Sequence, residues 1–277
     1  MRVWYLAPMM MLLLATAAAG AQERVQPAGR SLPALGSVPW TMDGPGYLEV
    51  SFDHSSLNGG NPSWNDGYIR GAISGGSNTF SAEASRQSRF GDTGWFGALG
   101  WNRVLSENWY GSLWFGASAG GVFLPKYRAD AFLYRKFLSR KQLVIGAGAG
   151  YDRSKLVNYA YRNTADILYY FAWPLVAEGG VTWTRSQPDG TLARTQFLSL
   201  TQGREKEHYI TARAEIGREA YEILGPSSEF FDFSVHNYSL SYRQWLGANW
   251  GLNFSFQRDV NRYYHRNGGS LAFFVDF

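Results

Sequence analysis

The chain has 277 residues, no cysteine and a formal charge of +4 at neutral pH, with a mean hydropathy of -0.27. Lack of cysteine excludes disulfides, thiolate metal sites and a cysteine nucleophile, and beyond the N-terminus no apolar run is long enough for a membrane helix. Basic residues alternate with acidic ones instead of forming runs, which argues against a nucleic-acid surface and suits a protein lying against lipid phosphates.

At the N-terminus, Arg2 precedes an apolar stretch over residues 6–19, followed by Ala19-Gly20-Ala21 and polar Gln22. That is the charged, apolar and small-residue order of a secretory signal, too short to span a bilayer. Residues 1–21 are therefore expected to be a signal peptide cleaved after Ala21, with Ala19 and Ala21 as its small residues. Residues 22–44 carry Pro27, Pro33 and Pro39 without periodicity and are expected to form a periplasmic leader.

From residue 45 onward the pattern has a period of two. Leu48, Val50 and Phe52 alternate with Tyr47, Glu49, Ser51 and Asp53. Further on, Ile210, Ala212, Ala214 and Ile216 alternate with Tyr209, Thr211, Arg213 and Glu215, and Trp250, Leu252, Phe254 and Phe256 with Gly251, Asn253, Ser255 and Gln257. Strands are predicted near 46–56, 66–74, 78–88, 93–103, 108–119, 127–137, 141–152, 160–171, 174–186, 191–202, 206–217, 231–244, 248–258 and 268–277, from these runs and their Gly, Asn, Asp and Pro punctuation. The fold class is all-β: residues 45–277 form a transmembrane antiparallel up-and-down β-barrel of about 14 strands, with 12 or 16 as alternatives, set in the outer membrane with both termini periplasmic. Short connections at 75–77, 105–107, 138–140, 172–174, 203–205 and 246–247 alternate with longer ones. A soluble β-sandwich gives no reason for that sorting. Trp95, Trp101, Trp109, Tyr110, Trp173, Trp183, Trp245 and Trp250 near strand ends suggest interfacial girdles. The last strand puts Leu271, Phe273, Val275 and Phe277 on one face, an assembly signal for the barrel assembly machinery.

Parity places Glu49, Asp53, Tyr68, Arg70, Glu83, Arg128, Asp130, Tyr134, Lys136, Asp166, Glu178, Arg213, Glu215 and Arg243 toward the lumen. Rows of opposite charge can line a polar pore or fill a salt-bridged plug, and parity alone leaves both open. Gly146, Gly148 and Gly150 are expected to give room in the lumen. The connection over 217–233 is a candidate constriction or lid.

Four histidines, His54, His208, His236 and His265, are the candidates for acid–base chemistry. Only His236, with Ser234 or Ser239 and Glu229 or Asp232, has the residue types of a hydrolase. The His-x-Ser spacing of outer-membrane lipid hydrolases is absent, since Asn237 and Tyr238 follow. Asp152 with Asp166, and Asp259 with His265, are loop pairs of low metal specificity. No catalytic residue, metal or cofactor is assigned.

Five runs resemble one family: Arg89-Phe90-Gly91-Asp92, Phe123-Leu124-Pro125-Lys126-Tyr127-Arg128-Ala129-Asp130-Ala131-Phe132, Thr201-Gln202-Gly203-Arg204-Glu205-Lys206, Gly217-Arg218-Glu219-Ala220-Tyr221 and Arg243-Gln244-Trp245-Leu246-Gly247. They are similar to the YaiO family of outer-membrane β-barrels, over residues 46–277. The resemblance implies location and fold. Some relatives carry periplasmic helical repeats before the barrel, an arrangement similar to exopolysaccharide export porins; here the leader is short, so polymer handling would need a separate partner. The expected function is a pore or export component for small polar solutes or surface polysaccharide, without covalent chemistry. A structural or adhesion barrel with partner-binding outer loops, and a lipid-modifying enzyme, are the alternatives. Expected partners are outer-membrane lipid, lipopolysaccharide and a surface-glycan synthesis or export system, with no nucleic acid.

Overall fold

The computed structural model describes residues 46–188, 190–223 and 229–277, the side chains of 219–223 and 229–232 excepted. The expected signal peptide and leader lie outside the described residues. Fourteen strands follow in chain order: β1 Tyr47–Leu57, β2 Trp64–Gly75, β3 Asn78–Arg89, β4 Asp92–Val104, β5 Trp109–Gly120, β6 Tyr127–Phe137, β7 Leu143–Arg153, β8 Tyr159–Tyr170, β9 Leu175–Gln187, β10 Leu192–Arg204, β11 His208–Ile223, β12 Glu229–Trp245, β13 Trp250–Asn261 and β14 His265–Asp276. Each pairs antiparallel with its sequence neighbours, and β1 closes the barrel on β14 in the register Phe52↔Leu271.

Closure satisfies the backbone groups that a sheet edge would leave bare in hydrocarbon. Alternate positions then divide into two surfaces. Leu48, Val50 and Phe52 on β1, Leu99 on β4, Phe115 on β5, Leu198 on β10 and Phe273 on β14 are exposed on the outside. An apolar belt this continuous calls for lipid as its solvent. The other register is buried and largely polar: on β1, Glu49, Ser51, Asp53 and Ser55 are each less than a tenth exposed.

Most strands begin and end within a few residues of their predicted limits, and the hairpin of β11 and β12 departs most. Its ladder runs from Gly217↔Val235 to Ile223↔Glu229, so most of the expected 217–233 loop is strand. Tyr221, Ile223, Phe230, Phe231 and Phe233 are good strand formers, and Gly225-Pro226, the turn signal between them, lies outside the described residues.

The girdle also needs correction. Trp95, Trp109, Trp173, Trp183 and Trp250 are exposed, but Tyr110 and Trp245 are buried inside. Their registers decide this, against their positions at strand ends. Tyr110 stacks on Tyr134 with centroids 4.9 Å apart, and Trp245 meets Phe274 edge-on at 5.1 Å.

Candidate functional site: the barrel lumen

At the short-turn end, one carboxylate gathers two guanidinium groups. Glu49 accepts hydrogen bonds from Arg70 Nε at 2.8 Å and Arg243 Nη1 at 3.0 Å. Arg243 comes from β12, with β13 and β14 between it and β1, so the pair reaches over two strands through the lumen. Its guanidinium lies 3.4 Å from the Phe274 ring centroid. Asp276 extends the network, accepting from Trp245 Nε1 at 2.9 Å and Lys206 Nζ at 2.7 Å.

A second network spans β6, β7 and β8. Arg128 Nε donates to Asp130 at 2.6 Å and Arg162 Nη2 to Asp130 Oδ1 at 2.5 Å, while Asp152 pairs with both arginines. Two positive and two negative groups balance there, as charges removed from water require. Nearer the longer connections, Arg89 Nη2 binds Asp66 at 2.7 Å, and Arg266 Nε binds Asp259 at 2.5 Å.

Aromatic and aliphatic side chains fill the space between the networks. Toward the longer connections, Trp64, Phe96, Trp114, Phe123, Leu124 and Tyr264 form one buried cluster. Phe123 and Leu124 belong to the 121–126 connection, which turns into the barrel mouth. Bonds that hold it there include Val122 N to Asp92 Oδ2 at 2.6 Å, Ser118 Oγ to the Pro125 carbonyl at 2.5 Å, and Lys155 Nζ to the Gly121 carbonyl at 2.7 Å. Burial pushes the Lys155 ammonium below its ordinary pKa, against the pull of Asp92. A second cluster, Tyr110, Tyr134, Val144, Leu168, Tyr170 and Val176, packs against β5–β9.

Gly146, Gly148 and Gly150 open no free room. A Cβ at Gly146 would strike Tyr134 and Asp166, at Gly148 the Phe132 ring, and at Gly150 Asp130 and Arg162. The glycines admit side chains from neighbouring strands, which occupy the space.

Along β8–β12 a run of inward polar side chains stays partly accessible. Thr164, Asp166, Glu178, Thr182, Glu215 and Asn237 are half-buried there on the inward register. Asp166 accepts from the Tyr134 hydroxyl at 3.3 Å, and Arg213 stands 3.8 Å from Glu215. Among the described residues, Glu178 and Glu83 have no ion-pair partner. Of the other candidates, Asp53 and Tyr68 are buried, and Lys136 Nζ lies 5.5 Å from the Tyr110 ring centroid.

Several lumen residues were missed. Trp64 and Asp66 share the register of Tyr68, Arg89 that of Glu83, and Arg162 that of Asp166, so parity extended to the strand ends would have found them. Asp259 and Arg266 fall outside the predicted strands 248–258 and 268–277, whereas the ladder runs to Val260↔His265. Asp152 and Asp259, weighed as metal ligands, are engaged by guanidinium groups, and no metal-ligand cluster of three occurs among the described residues. His236 and Ser239 cannot meet as a catalytic pair, since an odd spacing on β12 puts them on opposite faces. His236 is exposed on the outer wall.

The model of the YaiO membrane beta barrel domain matches residues 46–222. The chain belongs to this family. Strands β12–β14 lie beyond the matched segment and complete the barrel. The YaiO barrel is similar in fold to a CymD monoaromatic hydrocarbon channel (TM-score 0.57, 8% identity, 86% of this chain and 89% of that one). It is also similar to a bacterial polysaccharide outer membrane secretin (0.55, 9%, 84% and 98%) and to the COG4313 outer membrane channel from Pseudomonas putida F1 (0.52, 10%, 84% and 96%). No curated protein matches in sequence.

Proposed function

We propose that this barrel is a narrow outer-membrane channel for small polar solutes, with its termini in the periplasm and its longer connections outside. The half-buried polar strip on β8–β12 carries this reading. It holds three carboxylates, Asp166, Glu178 and Glu215, against the single guanidinium of Arg213, an acidic excess that favours cations and neutral solutes over anions. The Trp114 and Phe123 cluster narrows the outer mouth, and the Glu49–Arg70–Arg243 network narrows the inner one. A surface polysaccharide would need both to withdraw, so small solutes are favoured over polymer export. The reading needs no covalent chemistry.

Purified protein in planar bilayers tests it. Small, cation-favouring conductance steps are expected, and Trp114→Ala with Phe123→Ala should enlarge them several-fold. Asp166→Asn with Glu178→Gln should weaken the cation preference. Absence of steps from both wild type and the widened variant would overturn the channel.

A further inference from the structure

The outer wall departs from its usual bulk at one place. On β8–β11 the outward row Ile167, Gly179, Leu198 and Ala214 lies in register, with Val181 and Gln196 in the next row toward the longer connections. Together they border a groove of about 600 Å³, within the roughly 300–1,000 Å³ of small-ligand sites. Its floor is Gly179. Packing does not require glycine there: a Cβ would meet the Phe197 carbonyl oxygen at 3.5 Å and Leu198 Cδ1 at 4.0 Å, both ordinary contacts. At the adjoining inward Gly180, by contrast, it would press on the Phe197 ring at 2.7 Å.

Above the groove the same strands turn basic. Arg194 pairs with Trp183 across the ladder, and Arg185 with Leu192. All four side chains are exposed. Trp183 stands four residues above Gly179 on β9, about 13 Å at ~3.3 Å per residue. Arg194 donates one bond to Gln196 at 3.2 Å, and Arg185 has no ion-pair partner among the described residues. The outward register of the described strand side chains carries arginine at several positions and no carboxylate at all. Every described strand carboxylate sits on the inward register.

We propose that this wall binds one phosphorylated, acylated glycolipid of the outer leaflet, the lipid A of lipopolysaccharide. An acyl chain lies in the groove over Gly179, Arg185 and Arg194 take the phosphate, and Trp183 lies at sugar level, where aromatic side chains favour the interface. Arginine suits this position because its stem stays in the apolar layer while its planar fork meets phosphate oxygens. The assignment of leaflet rests on the topology of the channel reading.

The test uses the full-length protein in neutral detergent. It is loaded with lipid A, dephosphorylated lipid A or phosphatidylglycerol, and retained lipid is counted by native mass spectrometry. Wild type is expected to hold one lipid A in preference to the other two. R185Q/R194Q should weaken retention by more than about ten-fold, and G179L, which fills the groove without touching the lumen, should lower it too. R103Q/R135Q, at the opposite rim, should retain it. Heat-modifiable migration confirms that each variant folds. Retention that ignores the phosphate, or is unchanged in R185Q/R194Q or G179L, overturns the site. Conductance in bilayers free of lipopolysaccharide should be the same for wild type and these variants, so channel and lipid site fail separately. Labelling of an introduced cysteine at Asn58 in intact cells checks the topology independently.

Discussion

Glu49 shows how strongly single residues in this lumen depend on their partners. It is 1% exposed and pairs with both Arg70 and Arg243, themselves buried. A buried ion pair is weakly stabilising as a whole, because desolvating the charges offsets most of their attraction. Removing one member is different, since the remaining charges stay buried without compensation. Glu49→Gln leaves Arg70 facing a neutral amide and Arg243 with only the looser Asp276 contact at 3.8 Å, and is expected to cost about 3 kcal/mol. Urea titration in lipid vesicles, followed by heat-modifiable migration, should show an earlier unfolding midpoint. A shift no larger than that of exposed Arg86→Gln would mean that water reaches the cluster and screens it. The glutamate was legible from parity. Arg243 was placed inward by parity as well, but its pairing with Glu49 was not legible, because 194 positions separate them and only the stagger of the closed barrel sets them level.

At the scale of strands, a repeated device fixes the inner wall. Gly100↔Trp114, Phe132↔Gly148, Tyr134↔Gly146, Gly180↔Phe197 and Gly251↔Phe274 are directly opposed cross-strand pairs. In each, a Cβ on the glycine would collide with the ring opposite it. The aromatic side chain lies over the backbone of its neighbour, shielding it and pinning the register. Gly148→Ala should therefore displace Phe132 and destabilise the barrel by about 1–3 kcal/mol, whereas Gly179→Ala on the outer wall should be near neutral. Equal urea midpoints for the two would show that Phe132 moves aside without cost. Strand positions and facing were readable because an alternating apolar and polar pattern survives in one sequence. The pairing of each glycine with a ring was not, since it requires the register between strands. The same gap made Gly146, Gly148 and Gly150 look like empty room. Tyr110 and Trp245 are a different case: position at a strand end suggests the girdle, but the readable parity of their strands already turns both inward.

For the whole molecule the decisive event is closure of β1 on β14, because until then two long strands present unpaired backbone to lipid. The seam runs from Tyr47↔Asp276 to Leu57↔Arg266. Two reciprocal bonds finish it: Gly46 N to the Phe277 carbonyl at 2.6 Å and Phe277 N to the Gly46 carbonyl at 2.9 Å. The Phe277 ring covers Gly46, where a Cβ would sit 2.8 Å from its Cζ. Next to it Asp276 ties the seam to Lys206 and Trp245 at the short-turn end of the barrel. Leu271, Phe273 and Val275 share the outer face of β14 with lipid. If this aromatic end is what the assembly machinery engages, deleting Phe277 should lower the yield of folded, heat-modifiable protein in cells. Phe277→Ala, which keeps the backbone bonds, should lower it less. The barrels that do form should conduct as wild type does, since the residue lies outside the polar strip on β8–β12. Wild-type yield after the deletion would remove Phe277 from assembly and leave closure to the ladder alone.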